Sequence, residues 1–244
     1  MAIRNHIRSL GMLKRLILQV PKDARHVWQL LSPANSRAIS RYLQGARPRK
    51  LHLGCGDHIL EGWLNCDVST MAGVVFLDAT QRFPLPDNSF DFVYSEHMIE
   101  HIPVAAGISM LRECYRVLRP GGSLRVVTPD FAFLRDLHRK TNPDIQAKYV
   151  TWSLRTWDVN SHNCSDPTMF VIDNFFRDFG HEFIYDASTL QHVVSMAGFE
   201  QLSTCRVGES SVPEFCGLER EDRMPEGFLV LESQVLEGRK PDRA

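Results

Sequence analysis

After residue 50 the chain alternates short apolar runs with stretches of helical periodicity. Runs at Lys50 to Leu53, Trp63 to Asp67, Val74 to Asp78, Phe90 to Ser95 and Ser123 to Thr128 each end in polar or glycine-rich sequence, as strands do when they open into loops. Pro86-Asp87-Asn88-Ser89 predicts a turn before the fourth run. A helix over roughly Val104 to Leu118 is stopped by Pro120-Gly121-Gly122. Asp186 can cap a second helix, whose apolar positions Leu190, Val193, Val194 and Ala197 recur at helical spacing before Gly198 ends it. Phe199 to Val207 and Phe228 to Val235 supply two more strands. This order predicts an α/β chain with a mostly parallel seven-stranded sheet and helices on both faces.

Two regions depart from the alternation. Met1 to Lys22 contains no acidic residue, and Ile3, Ile7, Leu10, Ile17 and Leu18 can form an apolar helical face. Residues 1–46 are therefore expected to form a helical extension packed on the domain, with peripheral membrane contact through the basic segment as the alternative. Residues 131–180 are aromatic-rich and less regular, and are expected to be an insertion covering one side of a site within the domain spanning 47–244.

At 244 residues, with 43% hydrophobic and 23% charged residues, the chain suits one globular domain. Twenty-eight Lys and Arg against 29 Asp and Glu leave a net charge of -1, too little to gather nucleic acid. The six cysteines form no C-x-x-C pair and fit reduced thiols in a cytoplasmic protein. Neither a signal peptide nor a membrane-spanning run is expected.

Leu51-His52-Leu53-Gly54-Cys55-Gly56 runs from a strand into a glycine turn where a ligand can approach the backbone. A dinucleotide site calls for a third glycine at position 59 and an acidic residue about 20 positions on. Here position 59 is Ile and Asp67 arrives early, so the loop suits a ligand without a pyrophosphate, and the first helix is expected to be truncated or replaced by the loop Asp57 to Gly62. Asp67 can accept hydrogen bonds from both ribose hydroxyls.

With Asp78, Leu85-Pro86-Asp87-Asn88-Ser89-Phe90-Asp91, Glu100-His101, Arg116-Val117-Leu118-Arg119-Pro120-Gly121-Gly122 and Gly198-Phe199, these motifs resemble the class I methyltransferases dependent on S-adenosylmethionine. The resemblance covers about residues 47 to 207. It extends to a small bacterial subgroup with a shortened first helix, often linked to polysaccharide or glycolipid synthesis. It implies a Rossmann-like fold with S-adenosyl-L-methionine as cofactor: Gly54, Cys55 and Gly56 along the methionine part, Asp67 on the ribose, Asp78 and Ala79 at the adenine edge, and Glu96 beside the cofactor. Asp78 could instead be a plain loop carboxylate, and Glu96 a residue favoured at a helix start.

His97-Met98-Ile99-Glu100-His101 also matches H-x-x-E-H, in which two histidines on one helical face can share a metal. Such a motif needs a long helix, whereas this one follows a strand and meets Pro103. His162, Cys164, Asp158 and Asp166 lack a metal-ligand spacing, and no metal is expected. An activated methyl group mainly needs an acceptor held in line and shielded from water, helped by a base when the acceptor is a hydroxyl. His181, His101 and Asp130 are the candidates for that base. Their structural alternatives are a loop staple, a structural hydrogen bond and a helix start. The resulting expectation is O-methylation of a sugar or glycan hydroxyl, with lipid or natural-product hydroxyls, or a non-catalytic cofactor-binding module, as alternatives.

Overall fold

The structure is a computed structural model and describes residues 32–45, 47–69 and 71–242. The basic segment 1–22 lies outside the described residues. Seven strands form one sheet in the order β3-β2-β1-β4-β5-β7-β6. They are β1 (Lys50–Leu53), β2 (Leu64–Asp67), β3 (Val75–Phe76), β4 (Phe90–Glu96), β5 (Leu118–Pro129), β6 (Glu200–Cys205) and β7 (Ser233–Arg239). The first five pair in parallel, while β7 runs antiparallel to both β5 and β6. β1 and β4, fully or nearly buried at Leu51, Leu53, Val93 and Tyr94, form the centre of the sheet. Apolar side chains on both sides of a strand are what helix-covered parallel sheets require.

Helix α1 (Pro33–Gln44) braces the β3 edge. Asn35 donates to Phe76 O at 3.1 Å and accepts from Phe76 N at 2.9 Å, so its side-chain amide pairs with the open strand edge. Tyr42 Oη donates to the carbonyls of Lys50 (2.8 Å) and Gly62 (3.0 Å), tying the helix to the start of β1. Between β1 and β2 the chain makes turns but no helix, as the early Asp67 implies.

Helix α2 (Val104–Val117) buries Gly107, Met110, Leu111, Cys114 and Val117. Gly107 has a packing reason, because a Cβ there would sit 2.9 Å from Tyr185 Oη. The helix ends where expected. Pro120-Gly121-Gly122, however, lies inside β5, which already pairs Leu118 with Phe90. Gly121 takes φ +76°, and the register shift between Phe90 and Phe92 absorbs the irregularity, so a helix stop also serves as a strand bulge.

Residues 131–180 are more regular than their composition suggests. They hold α3 (Phe131–Arg139), α4 (Pro143–Thr156) and α5 (Thr168–Arg177). Phe133, Leu134, Leu137, Tyr149, Val150, Val171, Ile172 and Phe175 pack there into a second core with Phe228. α6 (Ala187–Met196) is capped by Asp186, whose Oδ1 accepts from Thr189 N at 2.7 Å.

The expected last strand needs correction. Phe228–Glu232 is a short helix, α7, entered through Gly227 at φ +80°, and β7 begins only at Ser233.

Candidate active site

Two cavities open beyond the carboxyl ends of the parallel strands, where ligands bind in open α/β sheets. The first, about 390 Å³, is lined by His52, Gly54, Cys55, Gly56, Asp57, His58, Glu96, His97, Arg220 and Arg223. The second, about 670 Å³, has Tyr149, Trp152, Trp157, Phe175 and Phe179 as walls, with His97, His101, His181, Asn174, Asp178, Arg223 and Glu232 among its polar members. His97 and Arg223 belong to both, so the cavities meet at these two side chains.

The glycine loop has a conformation that only small residues adopt easily. Gly54 (φ +66°) packs so closely on Met98 that a Cβ would overlap that side chain, while Gly56 (φ +51°) has no heavy atom within 4 Å of where a Cβ would point. Gly56 therefore borders open space. Asp67 shapes this loop from the end of β2: Oδ2 accepts from Gly56 N at 2.9 Å and Oδ1 from Ser69 N at 2.7 Å. Each carboxylate oxygen keeps a second lone pair for a ligand. Cys55 is buried, and burial together with Asp67 pushes its thiol up to about 12, so it packs as an inert thiol.

Glu96 ends β4 almost fully buried. Its Oε2 lies 3.4 Å from His58 Nδ1 and its Oε1 3.5 Å from Arg223 Nη2, yet Oε1 has no aligned hydrogen-bond donor. Asp78 and Ala79 are half-buried beyond β3 and do not line the cavity; Asp78 Oδ1 accepts from Thr80 N (2.8 Å) and Thr80 Oγ1 (2.6 Å).

The segment after β6 covers this cavity. Arg220 Nη1 meets Asp57 Oδ1 at 2.8 Å across the glycine loop. The segment is held from below by Arg125, wholly buried on β5, which donates to Glu219 Oε1 at 2.7 Å, to Glu237 and to the carbonyls of Glu209 (3.0 Å) and Arg206 (3.2 Å).

At the second cavity, His101 and His181 come together with ring centroids 4.8 Å apart. The link is made by the backbone, because Glu182 N donates to Glu100 O at 2.7 Å. His181 Nδ1 lies 2.6 Å from Phe175 O, and since a carbonyl can only accept, Nδ1 carries the proton and Nε2 a free lone pair. Burial lowers the His181 pKa from its ordinary 6.5, which keeps the ring neutral near pH 7. Asp130 takes a different place: it caps α3 by accepting from Ala132 N at 2.8 Å, and only its neighbour Pro129 lines the cavity.

The H-x-x-E-H segment is not a long helix. His97 is left-handed at φ +47°, and Ile99–His101 forms a single 3-10 turn. A strained backbone at the junction of two cavities is where function commonly holds such strain. Three polar residues of the second cavity carry no local motif in the sequence: Tyr149, Glu232 and Arg223. Glu232, its carboxyl pushed up by burial, accepts from Tyr149 Oη at 2.5 Å. Only the H-x-x-E-H match drew attention to His97, and for a different chemistry.

Residues 65–126 match the family model described as a methyltransferase domain. A 49-residue stretch, 20% of this chain, is 47% identical to a probable S-adenosylmethionine-dependent methyltransferase of Mycolicibacterium smegmatis, and spans only 18% of that relative. Among solved structures, the chain is similar to a SAM-dependent methyltransferase from Archaeoglobus fulgidus (18% identity, TM-score 0.49, 88% of this chain and 94% of that one). It is also similar to phosphoethanolamine N-methyltransferase 2 of Haemonchus contortus in complex with S-adenosyl-L-methionine (16% identity, TM-score 0.41, 85% of this chain and 52% of that one). The segment that matches the methyltransferase-domain model carries Asp67, Asp78, Glu96 and the Glu100-His101 pair, and contributes most of β2, all of β3 and β4, and most of β5 to the seven-stranded sheet.

Proposed function

We propose that this protein transfers the methyl group of S-adenosylmethionine to a hydroxyl of a small acceptor, with sugar or glycan hydroxyls as the acceptor class. The observation that carries this reading is the meeting of the two cavities at His97 and Arg223. A cofactor along the glycine loop and an acceptor between the aromatic walls would be neighbours there, which is the arrangement in-line transfer needs.

The residues present suit the cofactor. Gly56 leaves room at the loop, the free lone pairs of Asp67 suit a ribose diol, and the undonated Glu96 Oε1 suits the positive end of the methionine part. Gly54 and Cys55 would flank the same part, while Asp78 and Ala79, beyond the cavity lining, would bound the adenine end. The cofactor supplies an activated methyl group; the protein orients the acceptor and excludes water.

For the acceptor, aromatic faces suit the apolar faces of a sugar ring, while Asn174, Asp178 and Glu232 offer hydrogen bonds to its edges. His101 and His181 stand where they can act on an acceptor hydroxyl, a contribution typically of about 10² to 10⁴-fold. The cysteines, all free among the described residues, fit work in the cytoplasm on activated or nascent polysaccharide.

Incubation with S-adenosylmethionine carrying a labelled methyl group and a panel of sugars, glycans, lipids and amines, read by mass spectrometry, tests the reading. Label on a sugar hydroxyl supports it. Label confined to amines overturns it.

A further inference from the structure

Glu100 is wholly buried, yet its Oε1 has no hydrogen-bonded donor. Oε2 is satisfied by Thr128 Oγ1 at 3.0 Å, whereas His97 Nδ1 lies 3.3 Å from Oε1 out of hydrogen-bond alignment. Leaving a buried charged acceptor unmatched is costly, so this oxygen needs a positive partner.

Its other neighbours are also lone pairs. His101 Nδ1 lies 3.3 Å from Gly180 O and His181 Nδ1 lies 2.6 Å from Phe175 O, so each ring directs the proton on Nδ1 to a carbonyl and leaves Nε2 as the atom available to a ligand. His101 Nε2 is 4.0 Å from Glu100 Oε1, and one ligand atom from each of Glu100, His101 and His181 lies within 4.8 Å of the others. Three acceptors converge here with His97 Nδ1, 3.3 Å from Oε1, as the nearest donor, and a cation between them would relieve their mutual repulsion. Backbone carbonyls fixing the far nitrogen of each histidine, and a hydroxyl fixing the far oxygen of the carboxylate, form the outer shell that metal ligands use.

We propose that Glu100, His101 and His181 bind a divalent first-row metal ion of the manganese-to-zinc series on the acceptor side of the active site. Two imidazoles and one carboxylate form a facial set that leaves coordination positions open. Metal bonds of about 2.1 Å bring neighbouring ligand atoms to roughly 3 Å, so the cluster contracts by about 1–2 Å on binding. His101 has the freedom to supply that movement, since its side chain is 40% exposed while Glu100 is held by Thr128.

The proposal deepens the function proposed above, and its catalytic part rests on that reading. The open positions would take two adjacent oxygens of the acceptor, as in the vicinal diol of a sugar. With both histidines holding the metal, they act on the hydroxyl through the ion and not as the base: the bound hydroxyl would lose its proton to solvent, its oxygen form a bond to the methyl carbon, and the carbon–sulfur bond break with its electron pair going to sulfur. The products are a methyl ether, S-adenosylhomocysteine and one released proton.

Chelator-dialysed full-length protein, titrated with cobalt(II) by visible absorption and with manganese(II) by calorimetry, tests the site. We expect one equivalent per chain, with affinity falling at least about tenfold in His101→Ala and in Glu100→Gln. S-adenosylhomocysteine binding by the same samples reports that each variant is folded, and His101→Ala, an exposed position, guards against misfolding of the buried variant. Absence of a stoichiometric metal, or equal affinity in wild type and His101→Ala, overturns the proposal. Metal binding without cofactor binding would leave the metal site standing and refute the methyltransferase reading; cofactor binding without metal does the reverse.

Discussion

Arg125 Nε donates to Glu219 Oε1 at 2.7 Å, with both side chains shut off from solvent. Because Glu219 Oε2 also accepts Gly208 N at 2.7 Å, this pair fastens to the sheet the segment that carries Arg220 and Arg223 over the glycine loop. Arg125→Met leaves Glu219 and Glu237 buried without their cation. It should cost about 3–5 kcal/mol in urea unfolding. A loss under about 1 kcal/mol would show that the pair is not what fastens the segment.

His52 predicts a pH dependence of stability. Burial pushes its pKa from 6.5 down to about 4 in the folded chain. Between those values the unfolded chain binds a proton that the folded one does not, so stability is full above pH 6.5 and falls as pH drops towards 4. At about 1.4 kcal/mol per pKa unit the whole window is worth about 3 kcal/mol. His52→Gln should flatten the slope of unfolding free energy between pH 6.5 and 4; an unchanged slope would assign it to other groups.

The half of the site proposed for the cofactor is legible in the sequence because it is local. Gly54, Gly56 and Asp67 sit at strand ends within 14 positions, and the Gly56 to Asp67 hydrogen bond joins what the motif lists. The cavity proposed for the acceptor is assembled from residues 97–101, 149–181 and 223–232, so no short pattern could show it. The misplaced last strand has a physical cause. Phe228–Glu232 is an apolar run too short for periodicity to separate helix from strand, and β7 reads as polar because its core-facing side chains include Gln234 and Glu237. Gln234 donates to Tyr185 O at 2.8 Å and Glu237 accepts from Arg125, interactions that no linear pattern reveals. At H-x-x-E-H the left-handed His97 and the single 3-10 turn after it leave no long helix, as its place between a strand and Pro103 implies.

Trp157 separates acceptor recognition from folding. It lines the cavity proposed for the acceptor yet is 50% exposed, so Trp157→Ala should leave the unfolding midpoint nearly unchanged. Loss of one aromatic contact of about 1 kcal/mol should raise the acceptor KM roughly fivefold without changing cofactor affinity. Equal losses in both affinities would place the residue in the fold rather than the acceptor site.

Asp67 predicts the behaviour of the cofactor. Asp67→Ala removes the acceptor of Gly56 N and the carboxylate assigned to the ribose, while its position at a strand end spares the core. Losing hydrogen bonds to a charged group at about 1.5–3 kcal/mol each should weaken S-adenosylhomocysteine binding at least tenfold with little loss of stability. Unchanged affinity would refute the ribose assignment.

The most direct test of the central claim is calorimetric titration of the folded wild-type protein with S-adenosylmethionine and S-adenosylhomocysteine. Both should bind saturably at one site per chain, with binding weakened in Asp67→Ala. No binding of either compound by well-folded protein would contradict that claim.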